Sequence, residues 1–339
     1  MTETVLLTGV TGFIAKRIAL DLLNAGYAVR GSLRSIKRAD EVRDAVRPHI
    51  KDPVSLDHLS FVELDLTHDG GWDEAMIGIS AVLHTASPFP MTQPKSDEDL
   101  IRPAVDGALR ALRAARNAGV TRIILTSSMA AVMNKELAQG ATVNEADWTD
   151  VNHPTATAYD KSKTLAEKAA WDFVADHPEM RLTTVNPGLV AGIPLDVKYG
   201  TSLGLIERFF LGSDPAVPDF GLPLVDVIDV SAMHLEALKR PETAGKRYCA
   251  SAGFIAAPEI ARILKEAYPN RKIATRVAPK WLLRILALMD PSVRSVLPTL
   301  GRLLEVDASR ATTEMEIDFI PVRDSILASA SYIASVKQA

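Results

Sequence analysis

Two side chains of the segment "AYDKSKTLAEKAAW", Tyr159 and Lys163, lie four residues apart and share one face of any helix that forms there. A free phenol has a pKa of about 10 and holds its proton too tightly for easy turnover at neutral pH. An ammonium on the same face favours the phenolate, and a fall of about three units is worth about 4 kcal/mol. Such a pair can serve as a tuned proton donor. The same spacing also arises by chance in a chain with six tyrosines, so the surrounding sequence has to supply the rest of a site. Upstream, "RIILTSSMAA" carries an apolar, β-branched run into Thr126-Ser127-Ser128. Hydroxyls at the carboxyl end of a strand are badly placed for packing and well placed to bind a substrate oxygen.

The sharpest local signal is "LLTGVTGFIAKRIALDLL". An apolar strand runs into Gly9, Thr11, Gly12, Phe13 and Ile14, and an amphipathic helix follows at once. Gly9 permits a tight turn, Gly12 lets the backbone approach a pyrophosphate, and Ala15 keeps the helix close to the sheet. Free amides and the positive end of the helix dipole would then face the anion. The second strand should end near an adenine ribose, where an acid would select NAD. Here "VRGSLRSIKR" has no acid before Asp40. Arg34, with Ser32, Ser35, Lys37 and Arg38 nearby, suits a 2′-phosphate instead. The sequence therefore predicts NADP(H) as cofactor.

These residues need a scaffold, and the first half of the chain provides one. Strand signals at "TVLLTG", "YAVRGSL", "LSFVELDL", "SAVLHTAS", "TRIILTSS" and "RLTTVNPG" alternate with helical patterns such as "GFIAKRIALDLLNAG", "PAVDGALRALRAARNAG" and "TLAEKAAWDFVADH". Apolar residues in the latter recur at three- and four-residue spacing, and Gly26 and Gly119 stop two of them. Alternation of this kind predicts an α/β fold, a doubly wound parallel sheet of Rossmann type with helices on both faces. Ligands of such sheets bind beyond the carboxyl ends of the strands. By that rule Asp65 and Leu66 meet the adenine, and Thr85, Ala86 and Ser87 line the ribose and nicotinamide. Asn186-Pro187-Gly188 closes over the nicotinamide. After Gly188 the pattern loosens into segments rich in Gly and Pro, and the tail is mostly helical. We expect residues 1–188 and about 222–252 to form the nucleotide-binding domain. Residues from about 189–221 and 253–339 should form a small, discontinuous, mainly helical substrate lobe.

Composition excludes several classes of function. Apolar residues make up 47% and charged residues 24%, the profile of a globular protein. A net charge of −4 favours neither nucleic acid nor a membrane surface as partner. Cys249 is the only cysteine, so an intrachain disulfide or Cys-based zinc site is impossible, and no metal is expected. The start "MTETVLLTGV" lacks the features of a signal peptide. "WLLRILALM" is half the length of a membrane span, and the expected location is cytoplasmic.

The motifs TGxxGxxA, DL, HTASP, TSS, YxxxK and NPG, in this order and spacing, resemble those of the extended short-chain dehydrogenase/reductase superfamily. "HTASP" and "YDKSKTLAEKAAW" are similar to the branch of dihydroflavonol reductases, cinnamoyl-CoA reductases and aldehyde or ketone reductases. The resemblance covers about the first 260 residues well and the tail only in style. It implies reversible reduction of an aldehyde or ketone by NADPH. Ser128 would polarise the carbonyl, Tyr159 would protonate the resulting oxyanion, and Lys163 would also hold the nicotinamide ribose. Ser128 is preferred to Ser127 because alternate strand residues face opposite ways and the family's serine usually precedes the small or apolar residue. Cofactor contacts are further implied for Thr126, Pro187, Gly188, Leu189 and Val190, with Ser202 in "GTSLG" a candidate for the phosphates.

Substrate class is less legible. "MAAVM" after Ser128 is apolar up to Met133, where flavonoid reductases put polar groups. With Ser87, Phe89 and Met91 of "SPFPM" as another wall, the sequence favours a small or apolar carbonyl compound. Three alternatives compete on the same fold. A nucleotide-sugar epimerase would usually carry an acid after the second strand, where this chain has Arg34. A hydroxysteroid-type alcohol dehydrogenase would run the same chemistry in reverse. A non-catalytic NADP sensor would commonly lack the Tyr or Lys. Monomer and homodimer are both compatible; Arg110, Arg113 and Arg116, read as a solvated stripe, favour the monomer.

Overall fold

The computed structural model describes residues 2–87, 96–138, 140–288, 293, 297–302 and 304–337. Strands β1 (Thr4–Thr8), β2 (Ala28–Leu33), β3 (Leu59–Glu63), β4 (Ala81–His84) and β5 (Arg122–Thr126) are separated by helices α1 (Phe13–Asn24), α2 (Ala39–Val46), α3 (Trp72–Met76) and α4 (Glu98–Asn117). A short strand β6 (Thr142–Val143) precedes α5 (Ala158–Ala175) and β7 (Arg181–Pro187). Then come β8 (Leu189–Ala191), α6 (Gly200–Phe210), β9 (Gly221–Asp226), α7 (Val227–Lys239), β10 (Lys246–Ala250) and β11 (Gly253–Ala256). The remainder is α8 (Ala257–Ala267), α9 (Lys280–Leu286), β12 (Glu305–Val306), α10 (Ser309–Met315) and α11 (Val322–Lys337).

Seven parallel strands form one sheet in the order β3-β2-β1-β4-β5-β7-β10. The chain reverses its winding between β1 and β4, which opens a crevice at their carboxyl ends. Alternation along β1 shows why the sheet is covered twice. Val5 and Leu7 pack with Ile18 and Leu22 of α1, Val42 of α2 and Met233 of α7. Leu6 faces the opposite way, into a layer with Trp72 and Met76 of α3, Leu112 of α4 and Ala170 of α5. This is the doubly wound α/β fold that the alternating pattern predicts.

A second core, with Ile206, Phe210, Leu224, Ile260, Leu264, Ile326 and Ile333, joins α6, α8 and α11 to a three-stranded sheet β11-β9-β8. One difference from the expected boundaries stands out. β9 pairs with β8 and β11, outside the large sheet, whereas α7 directly after it packs on α1. The switch at Asp226 works because its carboxylate caps α7, accepting from the Ile228 amide at 2.9 Å.

Candidate active site

The glycine turn after β1 takes the shape its residues require. Gly9 has φ +68°, and a Cβ there would stand 3.0 Å from the Ala86 Cα, so both backbone freedom and the β4 end exclude a side chain. Its amide donates to the Ser32 hydroxyl at 3.1 Å, the Val10 amide to the Ser32 carbonyl, and the Gly12 amide to the Gly9 carbonyl. Three amides of the turn are thus used internally, and anion binding falls mainly to the first turn of α1. That helix starts from Gly12 with no capping side chain and no acidic residue in its first turn, so its amides and dipole remain for a ligand.

From this turn a cleft of about 650 Å³ runs over the ends of β2 and β3, lined by Gly9, Thr11, Gly12, Arg34, Asp65, Leu66, Thr85, Ala86 and Ser87. Thr67, Trp72 and Pro103 also line it, without any signal in the sequence reading. Arg34 is exposed at the cleft edge. Lys37, in the 3-10 turn Ile36–Arg38, is exposed and outside the lining, and Arg38 is paired with Glu41. The basic cluster read from sequence therefore reduces to Arg34 at this cleft. Asp65 does not present a bare carboxylate: it accepts from the Thr67 amide at 2.8 Å and hydroxyl at 2.7 Å. Those bonds, with the charge of Arg34 nearby, hold its carboxyl below the usual range.

A second cleft, of about 340 Å³, shares Gly9, Gly12, Thr85 and Ser87 with the first. Its lining adds Phe13, Ile14, Thr126, Ser128, Tyr159, Lys163, Pro187, Gly188, Val190 and Ser202. Tyr199, Gly200 and Thr201 also contribute, and "YGTS" held no signal beyond Ser202. Helix α5 begins where it does because of a capping box. The Thr157 hydroxyl accepts from the Asp160 amide, and the Asp160 carboxylate accepts from the Thr157 amide. This places Tyr159 in the first turn, with Lys163 one turn on.

The two serines diverge. Ser128 accepts from the Ala130 amide at 3.1 Å and hydrogen-bonds with the Tyr159 phenol. The Ser127 hydroxyl donates to Glu167 behind the cleft. Strand alternation thus sends Ser128 to the phenol. Thr126 is held by His234 of α7: the ring Nδ1 lies 2.7 Å from the Val230 carbonyl and so carries the proton. Nε2 then accepts from the Thr126 hydroxyl. At the end of β1, the Thr8 hydroxyl accepts from the Thr85 and Ala86 amides, which leaves its proton for Nδ1 of His84 on β4 at 3.0 Å.

The phenol departs from expectation. Burial pushes the Tyr159 pKa up to about 12, against the opposing hydrogen bond from Ser128. Lys163 is itself brought down to about 8 by burial, and its Nζ lies 6.0 Å from the tyrosine ring centroid. The expected fall of the phenol is absent because desolvation of both groups outweighs their attraction at that separation. The phenol of the free chain holds its proton firmly.

Other expected contacts lie elsewhere. Met133 packs against Met129, Val132 and Val143, and Leu189 packs into the second core; neither lines the clefts. Strand alternation explains Leu189, since its neighbour Val190 takes the cleft side. Phe89 and Met91 lie outside the described residues. Arg110 is no solvated stripe residue, because its guanidinium binds Asp69 and the Leu66 carbonyl. Among the described residues no group of acids, histidines or cysteines could hold a metal, and no helix is long and apolar enough to cross a membrane.

Comparison with known proteins now bears on this arrangement. A model of the NAD dependent epimerase/dehydratase family matches residues 5–249. The chain belongs to that family. It is 35% identical over 288 residues to an uncharacterized oxidoreductase of Schizosaccharomyces pombe, covering 79% of this chain and 83% of the other. Against anthocyanidin reductase of Vitis vinifera it is 32% identical over 288 residues, covering 80% and 83%. A solved structure of the yeast methylglyoxal/isovaleraldehyde reductase with NADPH superposes with a TM-score of 0.83 at 28% identity, covering 99% of both chains. The chain is an extended short-chain dehydrogenase/reductase of the dihydroflavonol-reductase-like kind, an oxidoreductase that works with a nicotinamide cofactor.

Proposed function

We propose that this protein is an NADPH-dependent reductase that converts an aldehyde or ketone to its alcohol. The observation that carries the reading is the contact between the Ser128 and Tyr159 hydroxyls, with Lys163 one turn away, at the end of a cleft that begins at the glycine turn. The cradle fits a dinucleotide. A first-turn helix terminus without cap or acid suits the pyrophosphate, Arg34 suits a 2′-phosphate, and Lys163 would hold the nicotinamide ribose.

A reduced nicotinamide, when bound, supplies the hydride. The chain's own residues do the rest. Ser128 and Tyr159 donate hydrogen bonds to the carbonyl oxygen, which polarises it and stabilises the charge that develops. The phenol, whose proton burial holds in place, then gives that proton to the alkoxide. Lys163 stabilises the phenolate left behind until solvent reprotonates it. An alkoxide is a far stronger base than the phenolate, so the transfer is downhill even with a raised phenol pKa.

A carbonyl substrate is supported by the likeness to a reductase of methylglyoxal and isovaleraldehyde, both small carbonyl compounds. The absence of an acid where an epimerase would usually carry one, and the presence of Arg34 there, favour reductase over epimerase. We assign the protein to a reducing, cytoplasmic setting on the strength of its single, buried cysteine. The test is NADPH oxidation by the purified protein against a panel of aldehydes, ketones and flavonoids. Turnover of aldehydes or ketones, abolished in Tyr159→Phe, is expected; no turnover of any carbonyl, or turnover independent of Tyr159, refutes the reading.

A further inference from the structure

Behind the cleft lies a buried carboxylate that the proposed chemistry does not use. Glu167 follows Lys163 by one turn of α5, and its side chain is 0% exposed. Donors from four elements converge on it. Arg247 Nε of β10 donates at 2.7 Å, Asn186 Nδ2 at 2.7 Å and Thr184 Oγ1 at 3.0 Å from β7, Trp171 Nε1 at 3.3 Å from α5, and Ser127 Oγ follows the end of β5. The guanidinium is fixed in turn, donating to the Glu145 and Asp147 carbonyls and lying 3.6 Å from the Trp148 ring centroid. Asn186 uses the same amide group to reach the Ser128 carbonyl at 3.2 Å. One carboxylate therefore holds the side chain of Ser127 and, through Asn186, the carbonyl of the serine that meets Tyr159.

Glu167 also shares a small cavity with Lys163. Its lining includes His84 from the β4 end, Thr126 and Ser127 from the β5 end, and Lys163 and Glu167 from α5. The titratable groups around it are thus His84, Lys163 and Glu167, with Tyr159 one turn from the lysine on the same helix. His84 is held neutral by burial, so the carboxylate is the counter-charge that faces the ammonium.

We infer that Glu167 is a positioning residue: it fixes the Ser127–Ser128 strand end through its hydrogen bonds and keeps Lys163 an ammonium through its charge. This rests on the reductase reading. Burial brings Lys163 down to about 8, a value that already includes the opposing negative charge of Glu167. Removing the charge lowers the lysine further, so the proton is lost at lower pH.

The test compares Glu167→Gln, Glu167→Asp and Thr184→Val. Thr184→Val deletes one neutral donor and leaves the charge. Two quantities are read: the Lys163 titration in the cofactor-free protein, by NMR of labelled lysine, and the pH profile of kcat for NADPH-dependent carbonyl reduction. In Glu167→Gln we expect the lysine midpoint and the alkaline limb of kcat to move down together by about one pH unit. Its kcat should fall at least tenfold, with KM for the carbonyl within threefold of wild type. Thr184→Val should lower Tm and move neither titration. If Glu167→Gln does not fold, Glu167→Asp decides: kcat reduced with the limb in place is expected, and wild-type kcat in a less stable protein overturns the inference. An unmoved lysine midpoint in Glu167→Gln, or an equal shift in Thr184→Val, overturns it as well. A wild-type protein that reduces no carbonyl refutes the reductase reading instead, whatever the lysine titration gives.

Discussion

At the Arg34 end, the cleft is built from backbone amides, a glycine turn and one exposed arginine. At the Tyr159 end it is built from groups held by buried partners: the Ser128 carbonyl by the Asn186 amide, the Thr126 hydroxyl by His234, and the Thr85 hydroxyl by the Thr8 carbonyl. The first arrangement binds a ligand through independent contacts, each screened by solvent and each replaceable at modest cost. In the second, the groups lining the cleft share hydrogen bonds with buried partners, and such constellations respond to deletion as units. Damage at the Tyr159 end should therefore fall on turnover, and damage at the Arg34 end on cofactor affinity and choice.

The largest expected effect tests that division directly. Tyr159→Phe removes the proton donor and keeps the ring, so carbonyl turnover should fall by roughly 10² or more while NADPH binding stays nearly intact. Stopped-flow kinetics and cofactor titration measure the two separately. A variant with near-normal turnover would break the comparison at its stronger end. Lys163→Ala should damage both turnover and cofactor affinity, since the side chain lies where the two functions meet.

A smaller effect concerns stability at the catalytic end. His84 and His234 are both brought down to about 4 by burial, from an ordinary value of 6.5. Above pH 6.5 both states are neutral there. As pH falls below 6.5 the unfolded chain takes up protons that the folded chain refuses, so stability is lost between about pH 6.5 and 4. Each histidine accounts for about 3 kcal/mol over that window. Asp229 acts in the opposite sense, because burial raises its carboxyl to about 6 and its protonation favours the folded state as pH falls. The net expectation is still a loss. Urea unfolding from pH 7.5 to 4.5 should show it, and His84→Asn, which keeps an acceptor for the Thr8 hydroxyl, should remove much of it. Stability that stays flat over this range would mean that these rings are not the buried neutral groups described.

The two ends also differ in how far they could be read from sequence. The six apolar runs quoted from the sequence are the first six of the main sheet's seven strands, legible because strands covered on both faces leave near-continuous hydrophobic segments. The glycine turn, TSS and YxxxK were legible because local chemistry dictates residue type. Glu167, Arg247 and Asn186 were not recognised as a unit, because α5, β10 and β7 meet only in three dimensions. Leu189 and Met133 pack away from the clefts for a related reason: adjacency in sequence to the site does not say which face of a short strand or turn looks into it. The capping box of α5 was visible in "TAYD" and would have placed the helix start. The raised phenol could not be seen, since Tyr-Lys spacing reveals attraction but not the burial that opposes it.

The smallest effect sharpens the comparison at the exposed end. Arg34 lines the cleft beside Asp65, whose two bonds from Thr67 and ionised state leave one negative charge already near the guanidinium. A 2′-phosphate adds close to two more, and a planar guanidinium can meet its oxygens with charge-assisted hydrogen bonds of about 1.5–3 kcal/mol. Exposure and the competing carboxylate hold the effect toward the lower figure. Arg34→Ala should therefore raise KM for NADPH by roughly tenfold, leave NADH little changed, and leave kcat with saturating NADPH close to wild type. Steady-state kinetics with both cofactors measure this. A fall in kcat would mean that the two ends are coupled after all, and a wild-type enzyme that already prefers NADH would remove Arg34 from cofactor choice before any variant was made.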